Sequence, residues 1–302
     1  MNTAAITDAL RALGCSVKEK EPMCHHTSFK IGGAAQWFVS VKDKRAAASV
    51  LRFCSEQHLP LIVVGNGSNL LVSDTGIDGV VLHIEAGDTP FTAKGCCVTA
   101  VAGASLTRLC LWACERGLSG LEFAYGIRGT VGGGVYMKAG AYGGQLSDAV
   151  QHVTAISAQG ECVELSAETL KFGYRHSVLM EQPLTAWSVT LALQNGDPAA
   201  IRAKMEQHMA ARRAKQPLEY PSAGSFFKRP EGHFAGALIE QCGLKGYTVG
   251  GAQISEKHAG FVINRGGATC ADVMQLCRNV QQKVKDTFGV SLEREVQLVG
   301  KG

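Results

Sequence analysis

The chain has 302 residues, about twice the length of a typical domain, so we expect two or three domains. Hydrophobic residues make up 46% and charged residues 19%, which is typical of a globular protein and excludes a disordered or fibrous one. A net charge of +4 is too small to indicate a nucleic-acid-binding tract or a polybasic membrane patch. No apolar run reaches the roughly 18 residues that a membrane-spanning helix needs, so we expect no membrane association.

Cysteine and histidine usage bears on the compartment and on metal binding. The eleven cysteines are an odd number and form no Cys-x-x-Cys unit, which predicts reduced, mostly buried thiols. The nine histidines form no His-Glu-x-x-His motif, so we expect no metal site. The first 20 residues have the spaced apolar positions of a short helix and lack the apolar core of a signal peptide. Together these features predict a cytoplasmic protein.

In chain order, the first clear periodicity is that of a helix over 44–59. An aliphatic strand over 61–64 follows, then the glycine loop 65–69 and a short strand over 70–72. This succession predicts a small α/β domain over residues 20–75.

A β-rich region follows, for which we predict a second domain over 76–198. Its predicted elements are strands at 79–84, 96–103, 149–158 and 185–194 and one helix at 105–117. A glycine-dense segment at 124–144 lies in the middle of this region.

A break at Asn195-Gly196-Asp197-Pro198 begins a third predicted domain over 199–302. Its predicted elements are helices at 199–217, 234–246 and 269–289 and a final strand at 291–300. The basic side chains of its first helix, Arg212 and Arg213 among them, are expected to face solvent.

Two glycine-rich loops are the strongest indication of a ligand. Without Cβ atoms, consecutive backbone N–H groups can point at one anion, which is how a diphosphate is bound. The loop Gly65-Asn66-Gly67-Ser68-Asn69 lacks the third glycine of a Rossmann fingerprint, and the chain contains no P-loop motif. A single loop of this kind is usually a turn, but a second one at 126–134 indicates a nucleotide cofactor.

Three further residues have side chains suited to proton and charge chemistry. Arg175 follows Tyr174 and offers a planar fork of donors for a carboxylate, although a surface ion pair is an equal alternative. Ser225 precedes Phe226 and Phe227, which predicts a dry setting for its hydroxyl; a cap or turn is the alternative. Glu295 lies in the final strand on the face opposite the apolar residues, where a lone glutamate would be solvated.

Six sequence motifs resemble those of the UDP-N-acetylenolpyruvoylglucosamine reductase family. They occur in the family's order and span about residues 22–300. The motifs are GNGSNLLV, GIRGTVGGGVYMKAGAYGG, YRHS, PSAGSFFKRP, AQISEKHAGFVIN and LEREVQLVG. Any one of them would be suggestive, and six in order are highly specific. Arg175 and Ser225 are only fifty residues apart, so the chain is similar to the class that lacks an inserted tyrosine-bearing loop.

The resemblance implies an α+β fold: a two-subdomain FAD-binding region of the vanillyl-alcohol oxidase type and a C-terminal α/β substrate domain. It implies that FAD is bound by two sets of residues, Gly65, Asn66, Gly67, Ser68 and Asn69 in the first loop and Gly126, Gly129, Thr130, Gly132 and Gly133 in the second. Tyr174, Lys215 and Lys228 would bind substrate. We expect a monomer whose ligands are the UDP-sugar and NADPH, with no nucleic-acid partner.

The chemistry that the resemblance implies is the NADPH-dependent reduction of UDP-N-acetylglucosamine enolpyruvate to UDP-N-acetylmuramate, a peptidoglycan precursor. NADPH would reduce FAD, and the reduced flavin would pass hydride to carbon 3 of the enolpyruvyl ether. Arg175 and Glu295 would stabilise the enolate-like intermediate, and Glu295 would do so protonated. Ser225 would donate the proton to carbon 2.

The sequence departs from the family pattern at four positions. Arg128 replaces the proline of a usual Gly-Ile-Pro-Gly, which frees φ and adds an N–H group. Gly134 stands where alanine is common, Lys138 where asparagine is usual and Lys30 where arginine is frequent. These changes bear on cofactor affinity and leave the three catalytic candidates intact.

Alternative functions stay open on the residues alone. Another flavin oxidoreductase, such as an oxidase of sugars or alcohols, would not need Ser225. A non-catalytic nucleotide-binding protein would fit the altered Arg128 and Lys138 but not the intact catalytic candidates. A nucleic-acid binder is the weakest candidate, because the basic residues are confined to one helix and no aromatic residues alternate with them.

Overall fold

The computed structural model describes residues 2–300, which fall into two compact units. Unit 1 consists of the chain up to Glu19, Trp37–Asn66 and Gly79–Ala210; unit 2 consists of Lys20–Gln36, Gly67–Asp78 and the chain from Ala211 onward. The chain therefore passes from one unit to the other within the first glycine loop. The domain boundaries 20–75, 76–198 and 199–302 stay predictions.

Helices and strands are interspersed along the described chain. The α-helices are α1 (Thr3–Ala12), α2 (Lys44–Glu56), α3 (Leu106–Cys114), α4 (Val131–Tyr136), α5 (Pro198–Lys215), α6 (Ala235–Gln241) and α7 (Cys270–Phe288). The strands are β1 (Ser16–Pro22), β2 (Ala34–Val41), β3 (Leu61–Val64), β4 (Leu70–Val72), β5 (Ile77–Ile84), β6 (Phe91–Lys94), β7 (Cys97–Val101), β8 (Leu118–Ser119), β9 (Gly140–Ala141), β10 (Gly144–Gln145), β11 (Val150–Ser157), β12 (Cys162–Ser166), β13 (Leu184–Ala192), β14 (Gln194–Asn195), β15 (Ser222–Ser225), β16 (Thr248–Val249), β17 (Ala252–Ile254), β18 (Phe261–Asn264) and β19 (Gln297–Val299). Short 3₁₀ turns lie at Met23–His25, Glu122–Ala124, Leu146–Asp148 and Val178–Met180.

Unit 1 contains the larger sheets. A four-stranded sheet has the order β1-β2-β5-β3, with β3 parallel to β5, and α2 packs its apolar face into the same core. Helix α2 begins at Asp43, whose side chain accepts a hydrogen bond from the Ala46 N–H group and so satisfies one of the helix's open donors. An antiparallel sheet in the order β12-β11-β13-β7-β6 forms the second core together with α3 and α4.

Unit 2 is built on an antiparallel sheet in the order β15-β18-β17-β16, and α7 packs on β16, β17 and α6. Thr269 and Asp272 form a capping box at the start of α7. In a separate two-stranded pair, β19 lies parallel to β4, with Gln297 opposite Leu70. This pairing joins residues more than 220 positions apart in the sequence.

The structure confirms the predicted helices and shortens several of them. Helix α6 ends at Gln241 instead of 246, because Gly243 adopts a φ of +72°, a left-handed conformation typical of the residues that end helices. None of the eleven cysteines forms a disulfide; five are buried, and Cys97 and Cys162 are exposed. Within residues 2–300, no helix is both long and apolar enough to cross a membrane.

The structure corrects the bounds of the final strand and the exposure of one arginine. The final strand comprises only Gln297–Val299, so the predicted strand over 291–300 was too long and Glu295 precedes it. Arg212 is buried, with 7% of its surface exposed, whereas Arg213 faces solvent as expected. A buried arginine implies partners that helical periodicity alone does not reveal.

Candidate functional site

The start of the first glycine loop meets the second glycine segment within unit 1. The Asn66 side-chain amide donates a hydrogen bond to the Arg128 carbonyl over 2.8 Å. A Cβ atom on Gly65 would collide with the Thr130 side chain, so only glycine allows this approach. The structure therefore brings together Gly65 and Asn66 with residues 128–130.

The second segment is held by Thr130, which precedes α4. The Thr130 Oγ1 accepts a hydrogen bond from the Gly133 N–H group over 3.2 Å. The Gly132 N–H group donates to the Ala102 carbonyl, and a Cβ on Gly132 would lie 2.8 Å from the Ala102 Cβ. Gly132 is buried and serves the packing of α4, whereas Gly133 is exposed.

These contacts fit the FAD role assigned to the two loops. Gly65 is partly exposed and lies beside the Thr130 side chain, so its backbone is placed to face a diphosphate bound by N–H groups, whereas Gly129 is buried. Gly126 has a φ of +86°, so it too needs glycine's conformational freedom. The family's usual proline at position 128 has a carbonyl but no N–H group. The Asn66 bond uses the carbonyl, so Arg128 leaves that bond intact.

The buried carboxylate of Glu122 stabilises the turn that precedes the second glycine segment. Glu122 lies in the 3₁₀ turn just before Gly126, and it accepts hydrogen bonds from the Ser119 hydroxyl at 2.6 Å and the Gly120 N–H group at 3.0 Å. Burial raises the pKa of Glu122, but these hydrogen bonds together with the charge of Lys204 outweigh it, so the pKa lies below its usual value. Glu122 is therefore ionised at neutral pH and fixes the turn.

The remainder of the first loop belongs to unit 2. Gly67 has a φ of +56°, and a Cβ there would collide with the His26 carbonyl. Ser68 is partly buried next to it. The Asn69 side-chain amide donates a hydrogen bond to the Glu295 carbonyl over 3.1 Å. The first glycine loop therefore contacts Glu295, for which the sequence predicted only a catalytic role.

Arg175 occupies a strained turn in unit 1. Gly173 and His176 exchange backbone hydrogen bonds, and Arg175 between them has a φ of +53°. Non-glycine residues rarely adopt that conformation, which typically costs about 1–3 kcal/mol and concentrates at functional sites. The Arg175 guanidinium lies 5.3 Å from the ring centroid of Tyr174, which is 54% exposed.

Ser177 anchors this turn. It is fully buried, and its hydroxyl donates a hydrogen bond of 2.8 Å to the Tyr136 carbonyl at the end of α4. The helix that follows the second glycine loop is thereby tied to the turn that carries Arg175.

Ser225 and Glu295 lie near each other in unit 2. The Glu295 N–H group donates to the Phe226 carbonyl over 2.9 Å, and Phe227 pairs with Arg294 in an isolated bridge. The prediction of a dry setting for Ser225 was wrong, because Ser225 is exposed while Phe226 and Phe227 turn inward and pack against each other in the core. Strand β15 ends at Ser225, so the alternation of a strand does not govern the two consecutive phenylalanines that follow it.

The two predicted substrate lysines differ in their surroundings. Lys215 is exposed in the last turn of α5. The Lys228 ammonium lies 3.2 Å from a carboxylate oxygen of Glu293, and its backbone N–H group donates to the Glu293 carbonyl. Lys228 thus tethers the Ser225 segment to the segment before Glu295.

Sequence reasoning missed the bonds that join these segments. The Asn69–Glu295 and Asn66–Arg128 bonds span 226 and 62 positions, and no local pattern signals them. Ser177 could have been identified from the sequence, because it is the last residue of the Tyr-Arg-His-Ser motif that contains Arg175.

Comparison with known families agrees with the two-part organisation. Residues 35–166 match the profile of the FAD binding domain, and residues 216–299 match that of the UDP-N-acetylenolpyruvoylglucosamine reductase C-terminal domain. The prediction of an FAD-binding region followed by a C-terminal domain is therefore confirmed, and FAD is the cofactor.

Known proteins similar to the chain cover nearly all of it. A UDP-N-acetylenolpyruvoylglucosamine reductase from Lachnoclostridium phytofermentans is 48% identical over 284 residues, 93% of this chain and 92% of the relative. One from Listeria monocytogenes is 46% identical over 285 residues, 94% of this chain and 95% of the relative. The crystal structure of UDP-N-acetylenolpyruvylglucosamine reductase from Thermus caldophilus superposes with a TM-score of 0.81 at 34% identity, over 94% of this chain and 98% of that one.

The resemblance indicated by the motifs is thus confirmed by sequence identity over 93–94% of the chain, by both domain profiles and by the fold. The two glycine segments lie within the FAD-domain match, and Ser225 and Glu295 lie within the C-terminal match, whereas the Arg175 turn lies between the two. The chain belongs to the UDP-N-acetylenolpyruvoylglucosamine reductase family, whose members are FAD-dependent oxidoreductases.

Proposed function

We propose that this protein reduces UDP-N-acetylglucosamine enolpyruvate to UDP-N-acetylmuramate, with NADPH as the reductant. When bound, FAD supplies the two-electron chemistry between NADPH and the enolpyruvyl double bond. The protein's own residues bind the substrate, stabilise the charge that develops on its carboxylate and deliver one proton to carbon 2. We further propose that it acts as a cytoplasmic monomer and binds no nucleic acid.

The observation that carries this proposal is the pairing of Ser225 with Glu295 in unit 2. The Glu295 N–H group donates a hydrogen bond of 2.9 Å to the carbonyl of Phe226, the residue that follows Ser225. Ser225 is exposed, so its hydroxyl is accessible to an incoming substrate. A serine hydroxyl is a weak acid, and a developing anion next to it is what would draw its proton to carbon 2.

Arg175 and Glu295 are proposed to stabilise the enolate-like intermediate. The guanidinium of Arg175 is always charged and matches a carboxylate with two parallel donors. Its backbone adopts a left-handed conformation, a costly geometry of the kind that concentrates at functional sites. Glu295 would contribute as a protonated acid, since a bare carboxylate would repel the anion.

Three more residues are proposed to bind substrate. Lys215 and Lys228 carry the positive charge that a diphosphate needs, although Lys228 must share its ammonium with Glu293. The exposed ring of Tyr174 stacks on Arg175, so substrate binding there would also order the arginine.

The test separates the two half-reactions in the absence of oxygen. In the Ser225→Ala variant, NADPH should bleach the oxidised-flavin absorbance at the wild-type rate, while reoxidation by UDP-N-acetylglucosamine enolpyruvate should slow by about a hundredfold or more, the scale of losing one preorganised donor. Ser166→Ala removes a serine hydroxyl on β12 in unit 1 and serves as the control.

Equal slowing of both half-reactions would contradict the proton-donor role of Ser225. A wild-type flavin that bleaches with NADPH and is reoxidised only by molecular oxygen would instead indicate an oxidase. Failure of the apoprotein to regain flavin absorbance after incubation with FAD would favour a non-catalytic nucleotide-binding protein.

A further inference from the structure

Asn69 lies at the end of a glycine loop assigned to FAD, yet its side chain is directed to a different part of the protein. Its Nδ2 atom donates to the Glu295 carbonyl over 3.1 Å, and its own carbonyl accepts a hydrogen bond from the Gln297 N–H group over 3.0 Å. A single residue thus contacts the chain on both sides of Val296, which is buried.

Glu295 depends on such contacts because it lies outside regular structure. Strand β19 begins only at Gln297, so the parallel ladder with β4 does not extend to Glu295. The backbone of Glu295 is instead held at both ends. Its N–H group donates to the Phe226 carbonyl, and its carbonyl accepts from Asn69.

These two bonds act on different sides of the same residue. The Phe226 bond fixes Glu295 relative to Ser225, and the Asn69 bond fixes it relative to the start of β4. Without the Asn69 side-chain bond the Glu295 carbonyl loses this donor, and any resulting shift of its backbone would move the carboxyl group relative to the serine hydroxyl. Positioning errors of about 1 Å can reduce a chemical step by about a hundredfold.

We propose that Asn69 is a positioning residue for Glu295, holding its backbone so that its carboxyl group lies correctly for the protonation half of the reaction. This inference rests on the catalytic role proposed for Glu295. It replaces the FAD contact that the resemblance implied for the Asn69 side chain, since a positioning residue acts on the step that uses Glu295 and leaves cofactor binding unchanged.

The experiment is a double-mutant cycle of Asn69→Ala and Glu295→Ala, with both half-reactions measured anaerobically and FAD affinity measured by titrating the apoprotein. Asn69→Ala should slow flavin reoxidation by the enolpyruvyl substrate by about 10- to 100-fold. Flavin reduction by NADPH and the FAD dissociation constant should stay within about threefold of wild type. In the Glu295→Ala background, removal of the Asn69 side chain should cause no further slowing, because residues that act as a unit are not additive.

A matched control tests whether the effect is merely a loss of stability. Asn279 donates from its side-chain amide to the Tyr247 hydroxyl over 2.7 Å, also in unit 2. Asn279→Ala should lower the melting temperature by a similar amount to Asn69→Ala without changing the ratio of the two half-reaction rates. If Asn69→Ala does not yield folded protein, Asn69→Asp keeps the side-chain shape while removing the N–H donor, and the cycle is run with that variant.

The outcomes separate this inference from the proposed function. If Glu295→Ala slows reoxidation and Asn69→Ala does not, the positioning role is wrong and the proposed function stands. Multiplicative slowing in the double variant would also overturn the positioning role. Weaker FAD binding in Asn69→Ala would overturn it as well and would make Asn69 a flavin contact. If Glu295→Ala leaves reoxidation unchanged, the catalytic role of Glu295 fails and the positioning role fails with it.

Discussion

A Gly65→Ala substitution tests whether the two glycine segments meet as described in unit 1. Gly65 does not have a positive φ, so alanine fits its backbone and the effect is purely one of contact. The new Cβ would collide with the Thr130 Oγ1 atom and would lie 3.0 Å from its Cγ2 atom and 3.2 Å from its Cβ atom. Either the first loop or the start of α4 must therefore move.

The size of the effect follows from the atoms involved. Overpacking by one methyl group typically costs about 1–3 kcal/mol of folding free energy. Thr130→Ala alone removes the hydroxyl that accepts from the Gly133 N–H group, and loss of such a cap costs about 1 kcal/mol. In the double variant most of the colliding atoms are gone, so its cost should be close to that of Thr130→Ala and well below the sum of the two single costs.

Urea denaturation of the wild-type, Gly65→Ala, Thr130→Ala and double-variant apoproteins measures their unfolding free energies. Titration with FAD measures their affinity for the cofactor. If the collision shifts either segment, Gly65→Ala should weaken FAD binding about tenfold or more, since each 1.4 kcal/mol is a factor of ten. Thr130→Ala should partly restore binding in the Gly65→Ala background. Strictly additive stabilities, or wild-type FAD affinity in Gly65→Ala, would refute the contact between these segments.

Two further predictions concern residues that support the loops. Glu122→Gln should destabilise the protein at neutral pH. Because the folded pKa of Glu122 is lowered, the wild-type advantage is present above the unfolded pKa and is lost as the pH falls through the folded pKa. The unfolding free energies of the two proteins should therefore converge as the pH falls from the unfolded pKa through the folded one. Gly67→Ala should cost more than about 1 kcal/mol, because Gly67 combines a φ of +56° with contact to a backbone carbonyl that cannot move aside. Gly143→Ala, at a φ of +83° with no atom within 4 Å of the added Cβ, measures the backbone contribution alone; equal costs for the two variants would contradict the steric argument.

Several elements could be predicted because their signals are local. Helices α2 and α7 follow from apolar residues at helical spacing between a capping residue and a terminating one. The first glycine loop was located between two short aliphatic strands, which are β3 and β4. The ordered motifs identified the family, because a set of site residues is specified by residue type and order along the chain.

The side-chain environments of the site could not be predicted in the same way. Ser225 was expected to be dry because phenylalanines follow it, but both rings are buried in the core while the serine, at the end of β15, is exposed. Glu295 was assigned to a strand from its neighbours' alternation, yet pairing with β4 begins two residues later. Arg212 was expected to face solvent because helical periodicity does not show what lies next to the helix.

The sequence by itself determined the family, the cofactor, the helices with strong periodicity and the identity of the candidate catalytic residues. Only the tertiary structure decided how those residues are held: Asn69 on Glu295, Asn66 on Arg128 and Ser177 on Tyr136. The physical reason is that propensity, capping and periodicity act over a few neighbouring residues. These hydrogen bonds instead join segments 41 to 226 positions apart, which become neighbours only after strands pair and helices pack.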